Sequence, residues 1–350
     1  METAAGVAVT GVAQRDAWQR RVLPPVEQVR PGLWSVPVPI PHNPLRYTLS
    51  YAFVTDAGVV VVDPGWDTPQ GRAALTDGLA AAGAAPTDVT GIVATHIHPD
   101  HHGLSGWLRE TAGAWVAMHP AEARSLPARA WRDARTPNDA TWLRGHGVPE
   151  DAVEGLFLAE TGIADLMALA EPDRLIEDGD LVPVAGREVR AVWTPGHTPG
   201  HLCLRDAAAG VLLTGDHLLP RISPTIGVHR GRNADPLSAY LESLAKVAEF
   251  GADEALPAHE YRFRRVPARA ADLIAHHRDR SAEILTVVDT LGAPTAWDIA
   301  AELTWSRGWA ALQGLTRRLA LAETVAHLHH LAATGTLGPD GETPVHWRRR

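Results

Sequence analysis

The chain is predicted to be an α/β protein with a smaller, mostly helical unit at its C-terminal side. Three observations say so. Short apolar runs bounded by Pro, Asn, Asp or Gly begin near Gly32. Helix-period segments then alternate with further strand-like runs. Beyond about Ala270 the strands nearly stop and long helical patterns take over. A length of 350 residues accommodates one large catalytic domain plus an appendage. The expected division is an N-terminal extension over 1–27, a main domain over 28–270 and a C-terminal domain over 271–350.

In chain order, residues up to about Pro25 are rich in Ala, Gly and Arg without clean periodicity and read as a loosely held extension. Leu33–Ile40, Thr48–Asp56 and Ala57–Gly65 read as an antiparallel meander. Thr68–Gly83 reads as a helix, Thr90–His96 as a strand and, beyond the bend at Pro99, His101–Glu110 as a second helix. Ala114–Pro120 is strand-like. The stretch 121–171 is mostly helical in pattern, with Trp131, Trp142, Leu156, Phe157 and Met167, and reads as an insertion that packs plainly or forms a lid. Strands resume in Asp180–Thr194, His201–Asp206 and Gly210–Asp216. A Pro-rich loop (Leu218–Gly227), a helix (Pro236–Phe250) and a short strand before the Pro257–Glu260 turn complete the main domain. Ala271–Gly292, Thr295–Leu303 and Leu321–Gly335 read as helices, and Thr334–Arg348 as a two-stranded wing around Pro339, Asp340 and Gly341.

Composition narrows the chemistry. No apolar run approaches the roughly 18 residues that cross a bilayer, and no leader-like pattern opens the chain, so no membrane partner and a cytoplasmic location are expected. The single cysteine, Cys203, excludes an internal disulfide and any multi-thiolate metal site, and reads as a small buried hydrophobe. Lys246 is the only lysine, which removes a phosphate-binding loop of the P-loop type. A net charge of −9 disfavours loose binding to nucleic acid or anionic lipid. Eighteen histidines stand out, so any metal must sit on imidazole and carboxylate.

The segment Thr95-His96-Ile97-His98-Pro99-Asp100-His101-His102-Gly103 follows a strand and opens a helix, where α/β folds build sites. His96 and His98, two apart in extended backbone, point to one side and can chelate one ion at about 2.0–2.1 Å. Asp100 and His101 project from the next helical turn and can hold a second cation. Three later loops end in suitable residues: His197, Asp216 and His259. The arrangement that uses all seven puts His96, His98 and His197 on one ion, Asp100, His101 and His259 on the other, and Asp216 between them. Burying such a set without a cation would leave costly unpaired groups. His42, His119, His146, His229, His276 and His277 read instead as core or surface residues. His102, His201 and His217 neighbour ligand positions without occupying them, His201 being the best placed to touch one.

This set resembles the metallo-β-lactamase superfamily, whose HxHxDH signature stands here as His96, His98, Asp100 and His101. The resemblance runs from about Gly32 to Tyr261 and includes Asp63, implied to orient the ligand histidines. It implies a four-layer αββα sandwich and a hydrolase with two divalent metal ions, zinc first, with iron or manganese as alternatives. A hydroxide shared by the two ions would attack the substrate, with Asp100 as proton shuttle. The C-terminal helices resemble the winged-helix-like domain of the lactamase-β-2-like branch. The expected substrate is a small molecule with an ester-like bond, a thioester or a lactone of an apolar acyl group. The competing readings are a single-strand endoribonuclease, a mononuclear iron persulfide dioxygenase and a non-catalytic regulator that keeps the fold. From His276 to Arg350 eight Arg are balanced by eight Asp and Glu, which argues against phosphate tracking. The C-terminal unit is expected to shape the pocket mouth or pair subunits as a homodimer.

Overall fold

A computed structural model describes residues 6–126, 139–156, 169–228, 235–251 and 253–350. Side chains alternate across its strands, and the alternation builds the layers. In β4 (Tyr47–Thr55), Tyr47, Leu49, Tyr51 and Phe53 enter one apolar cluster, while Ala52 enters another. In β5 (Gly58–Val62), Val60 and Val62 face the first cluster and Val59 and Val61 the second. Those strands lie in a seven-stranded mixed sheet ordered β2-β3-β4-β5-β6-β7-β8, with β2 at Glu27–Arg30, β3 at Leu33–Pro39, β6 at Val89–Val93, β7 at Trp115–Met118 and β8 at Arg174–Leu175.

A second seven-stranded sheet has the order β1-β14-β13-β12-β11-β10-β9. Its strands are β1 (Ala8–Val9), β9 (Leu181–Val182), β10 (Val189–Trp193), β11 (Leu202–Asp206), β12 (Val211–Gly215), β13 (Glu254–Pro257) and β14 (Phe263–Arg264). The first cluster joins inner-face residues of both sheets, Tyr51, Phe53 and Val62 meeting Leu202, Leu213 and Leu256. Helices cover the outer faces. Leu75 and Leu79 of α2 (Pro69–Ala81) and Leu104 and Leu108, around α4 (Ser105–Ala112), close over the first sheet. Each such leucine contributes about 1.5–3 kcal/mol relative to exposure. Leu237, Tyr240 and Leu244 of α8 (Pro236–Ala248) and Val266, Ala270 and Leu273 of α9 (Val266–Leu291) close over the second. Thr68 caps α2 by accepting from Gly71 N–H at 2.9 Å, with Pro69 in the first turn, which sets where that helix starts. The result is the expected helix–sheet–sheet–helix sandwich.

Several elements differ from the sequence reading. The N-terminal segment is built in: β1 pairs with β14, and α1 (Val12–Arg20) buries Trp18 edge-on against Tyr47. Its Gln14, fully buried, donates to Ser35 and accepts from the Arg262 N–H. The predicted helix over 101–110 is two, α3 (Pro99–His102) and α4, broken at Gly103. Gly103 admits no side chain, because a Cβ there would lie 2.5 Å from the Pro99 carbonyl.

Of the described parts of the 121–171 stretch, Ala123, Leu126, Leu169 and Ala170 pack in the cluster over the first sheet, while those over 139–156 pack toward the C-terminal unit. Leu143 of α6 (Asp139–Gly145), Val153 of α7 (Glu150–Val153) and Leu156 share a cluster with Ile284 and Val288 of α9, Ile299 of α10 (Ala296–Glu302) and Leu321 and Val325 of α11 (Gly314–Ala333). Trp142 packs against it, while Trp131, Phe157, Met167 and His229 lie outside the described residues. The chain ends in a hairpin of β15 (Leu337–Asp340) and β16 (His346–Arg349), so Pro339 and Asp340 lie in the strand and the turn falls at 341–345. Among the described residues no helix is long and apolar enough to cross a membrane.

Candidate metal centre

Strand registers bring the candidate residues to one end of the sandwich. Parallel β5 and β6 end there, leading to Asp63 and to His96–His101. So do parallel β12 and β13, leading to Asp216 and His259. The loop between antiparallel β10 and β11, which carries His197, closes the same end.

Three groups of potential ligand atoms result: His96, His98 and His197; His96, His101 and Asp216; and Asp100, His101 and His259. In the first, His96 Nε2 lies 2.9 Å and His197 Nε2 3.2 Å from His98 Nδ1. Asp216 faces both sides. Its Oδ2 lies 3.7 Å from His197 Nε2, while its Oδ1 lies 3.5 Å from His101 Nε2 and 3.1 Å from His259 Nε2. Asp100 Oδ2 is 3.7 Å from His101 Nε2 and 3.5 Å from His259 Nε2.

The outer nitrogens of four of these imidazoles are committed elsewhere. His101 Nδ1 donates to Asp63 Oδ2 at 2.8 Å, His197 Nδ1 to the Thr225 carbonyl at 2.8 Å and His259 Nδ1 to the Tyr47 carbonyl at 2.9 Å. The hydroxyl proton of Thr95 goes to Asp63 Oδ2 at 2.7 Å, so the Thr95 oxygen accepts from His96 Nδ1 at 3.0 Å. Each ring is thereby fixed with Nε2 turned inward as a lone-pair donor.

That inward set fits a cation. His101 Nε2, His259 Nε2 and Asp216 Oδ1 are buried without a hydrogen-bond partner, three electron-rich atoms aimed at one another. Such an arrangement is repulsive unless a cation or extra protons fill it. Protonation tendencies record the same field. Burial disfavours charge on His101, yet Asp216, Asp100 and Asp63 outweigh it and hold that imidazole well above its ordinary value. Burial, then the neighbouring His101, His98 and His197, hold His96 well below its own. Burial opposes ionisation of Asp216, but His259 and His101 keep its carboxyl well below the usual carboxylate range.

Surrounding residues position this set. Asp63, at φ 53°, accepts from Thr95 N–H at 2.7 Å as well as from the Thr95 hydroxyl and His101. The carboxylate expected to orient ligand histidines therefore touches His101 directly and His96 through Thr95. His201 Nε2 accepts from the Asp216 N–H at 3.2 Å, and its Nδ1 meets the Thr194 hydroxyl at 2.9 Å. Gly215, at φ +49°, permits this, since a Cβ there would lie 2.6 Å from His201 Nε2. The Thr48 hydroxyl donates to the Asp100 carbonyl at 2.8 Å.

Two supports were missed in the sequence. Glu122, fully buried in α5 (Pro120–Ser125), accepts from Ile97 N–H at 3.0 Å and Gly200 N–H at 2.7 Å, tying the His96–His98 loop to the His197 loop. One glutamate in a helical stretch gives no spacing signal. Arg269 of α9, also buried, donates to the carbonyls of Leu219 and Ile222 at 2.7 and 2.8 Å and so braces the loop that offers Thr225 to His197. Of the histidines read as structural, His119 caps α5 and stacks on Trp193, and His277 meets His327 at 3.2 Å. Cys203 is buried, its thiol pushed up to about 12 by burial.

Known proteins share this frame. The lactamase-like protein vrtG of Penicillium aethiopicum is 30% identical over 146 residues, 41% of this chain and 45% of its own, so the chain spans less than half the length of that relative. The acyl-coenzyme A thioesterase MBLAC2 of Gallus gallus is 29% identical over 257 residues, covering 69% of this chain and 83% of its own. A metallo-beta-lactamase family protein of Thermus thermophilus superposes with a TM-score of 0.76 at 35% identity, covering 92% of this chain and all of that one. Residues 43–259, which enclose every candidate ligand, match the family model of the metallo-beta-lactamase superfamily, and the chain belongs to that superfamily.

Proposed function

We propose that the protein is a dinuclear metal-dependent hydrolase of acyl thioesters, with lactones as the second substrate class. The single observation that carries the reading is Asp216, whose two carboxylate oxygens face two different groups of inward imidazoles. His96, His98 and His197 would hold one ion and Asp100, His101 and His259 the other, with Asp216 shared. When bound, divalent cations supply a water acidified toward neutral pH and positive charge for the oxygen of the scissile carbonyl.

The chain's own residues do the rest. Asp63, Thr95, the Thr225 carbonyl and the Tyr47 carbonyl fix four imidazoles, so little reorganisation accompanies the reaction. Asp100 turns Oδ2 toward His101 and His259, which leaves Oδ1 to take the proton of the attacking water. A carbon–oxygen bond forms, the carbon–sulfur bond breaks, and that proton passes from Asp100 to the departing sulfur, giving acid and thiol. Support for a thioester comes from the match to an acyl-coenzyme A thioesterase over most of that protein's length. The charge balance of the C-terminal unit weighs against RNA.

The test is turnover of an acyl-coenzyme A, a lactone, a short single-stranded RNA and glutathione persulfide by one preparation. Thioester cleavage that outpaces the rest is expected. RNA cleavage without ester cleavage, or persulfide oxidation alone, would overturn the proposal.

A further inference from the structure

A concavity lies at the metal-bearing end of the sandwich, with a volume of about 510 Å³, the size of a small-molecule site. Arg21, His42, Asn43 and Arg46 supply its polar wall, and Val22 and Leu23, nearly half exposed, an apolar one. It adjoins the candidate centre through Tyr47, which lines it and whose carbonyl holds His259 Nδ1 at 2.9 Å.

Its cations are presented rather than neutralised. Among the described residues no carboxylate pairs with Arg21, His42 or Arg46. Arg46 is aimed by its neighbours, lying 4.0 Å above the Trp18 ring and donating to the Trp18 carbonyl at 2.5 Å. A concavity at the opposite end of the sandwich also has an arginine-rich wall, but there Arg30 pairs with Glu254, Arg187 with Asp206 and Arg205 with Asp253, each at 2.7 Å.

The backbone of the first concavity is also unusual. Six non-glycine residues among those described adopt a left-handed φ, and His42 at 52° and Arg46 at 65° line it, as does Arg21 at 60°, whose left-handed backbone closes α1. Two others, Asp63 and Glu260, belong to the metal-bearing end itself. Left-handed backbone at non-glycine residues is held only where surrounding structure enforces it, and it gathers at ligand sites. Here the loop is pinned by Ile40 N–H to the Arg46 carbonyl at 2.7 Å and by Leu45 N–H to Asn43 Oδ1 at 2.8 Å.

We propose that this concavity is a phosphate-binding subsite that holds the nucleotide end of a coenzyme A thioester while the acyl–sulfur bond reaches the metal centre. Two guanidiniums match the charge and fork geometry of phosphate groups, the His42 imidazole adds a ring nitrogen for hydrogen bonding, and Val22 and Leu23 offer an apolar face to the adenine ring. The inference rests on the thioester reading for its substrate and on the concavity alone for its ligand.

The test has two arms. Calorimetry measures binding of free coenzyme A, pantetheine and inorganic phosphate to the full chain and to Arg21→Gln and Arg46→Gln. Kinetics compares an acyl-coenzyme A with the N-acetylcysteamine thioester of the same acyl group, which lacks the nucleotide. Each substitution should weaken coenzyme A binding and raise its thioester KM about tenfold, leaving kcat and the N-acetylcysteamine KM unchanged. Arg21 is exposed at the end of α1, so Arg21→Gln keeps the test open if Arg46→Gln fails to fold. Arginine-dependent binding of coenzyme A without thioester turnover would sink the proposed function and leave this subsite standing. Thioester turnover with coenzyme A affinity and KM unchanged in both variants would do the reverse. Inorganic phosphate or pantetheine binding as tightly as coenzyme A would overturn the subsite.

Discussion

The two ends of the sandwich treat charge in opposite ways. At the end away from the metal centre, Arg30, Arg187 and Arg205 each meet a carboxylate at 2.7 Å, and their partners Glu254, Asp206 and Asp253 are buried. At the other end, His101 Nε2, His259 Nε2 and Asp216 Oδ1 stay buried without a hydrogen bond. One end pairs these charges within the fold. The other leaves its polar groups for something that arrives. Both are built from the same strands, so the difference lies in the loops, where a few residues decide whether a polar atom meets its partner inside the fold or outside it.

Substitutions that break the unsatisfied end should cost most. Asp216→Ala removes the group facing both sets of imidazoles, and should abolish turnover and lower bound metal, measured by kinetics and elemental analysis. Asp63→Asn keeps the shape but offers Thr95 and His101 one acceptor oxygen in place of two, and metal affinity or activity should fall about 10–100-fold with the circular dichroism spectrum unchanged. Glu122→Gln leaves either Ile97 N–H or Gly200 N–H without its acceptor and should cost about 1–3 kcal/mol in chemical denaturation.

The histidines away from the centre give a pH signature. Burial holds His277 down to about 3 and His146 down to about 4. Because the unfolded chain takes up these protons first, the stability these groups contribute is present above about pH 6.5 and lost as pH falls toward their folded values. Acid unfolding of chelator-treated protein should be shallower in His277→Gln than in wild type. The smallest effect belongs at the satisfied end: Arg190 and Glu188, largely exposed and 3.9 Å apart, should shift stability by less than about 1 kcal/mol on Arg190→Ala.

Much of the metal end was legible in the sequence because metal ligation restricts residue type and spacing at once. His96, His98, Asp100 and His101 sit in one short segment, and His197, Asp216 and His259 each lie in a loop that follows a recognisable strand; the structure gathers all of them. Supports that act through generic hydrogen bonds carried no such mark. Glu122, Arg269 and Gln14 look like ordinary polar residues until their buried partners are known. Packing partners were hidden for a related reason. The helical pattern of the 121–171 stretch singles out Trp142 and Leu156, but does not show that Ile299 and Leu321 share a cluster with them. The N-terminal segment misled because a two-residue strand and a short helix are too brief to show a period, though they bury Ala17 and Trp18.

Under the proposed function, the unsatisfied buried nitrogens and carboxylates at one end of the sandwich hold two cations. Elemental analysis of purified protein alongside its hydrolytic rate tests this most directly. Two equivalents of a divalent metal per chain are expected, with activity lost on chelation and restored by adding metal back, and a clear drop in stoichiometry for Asp216→Ala. Full activity in protein stripped of every metal would contradict the account.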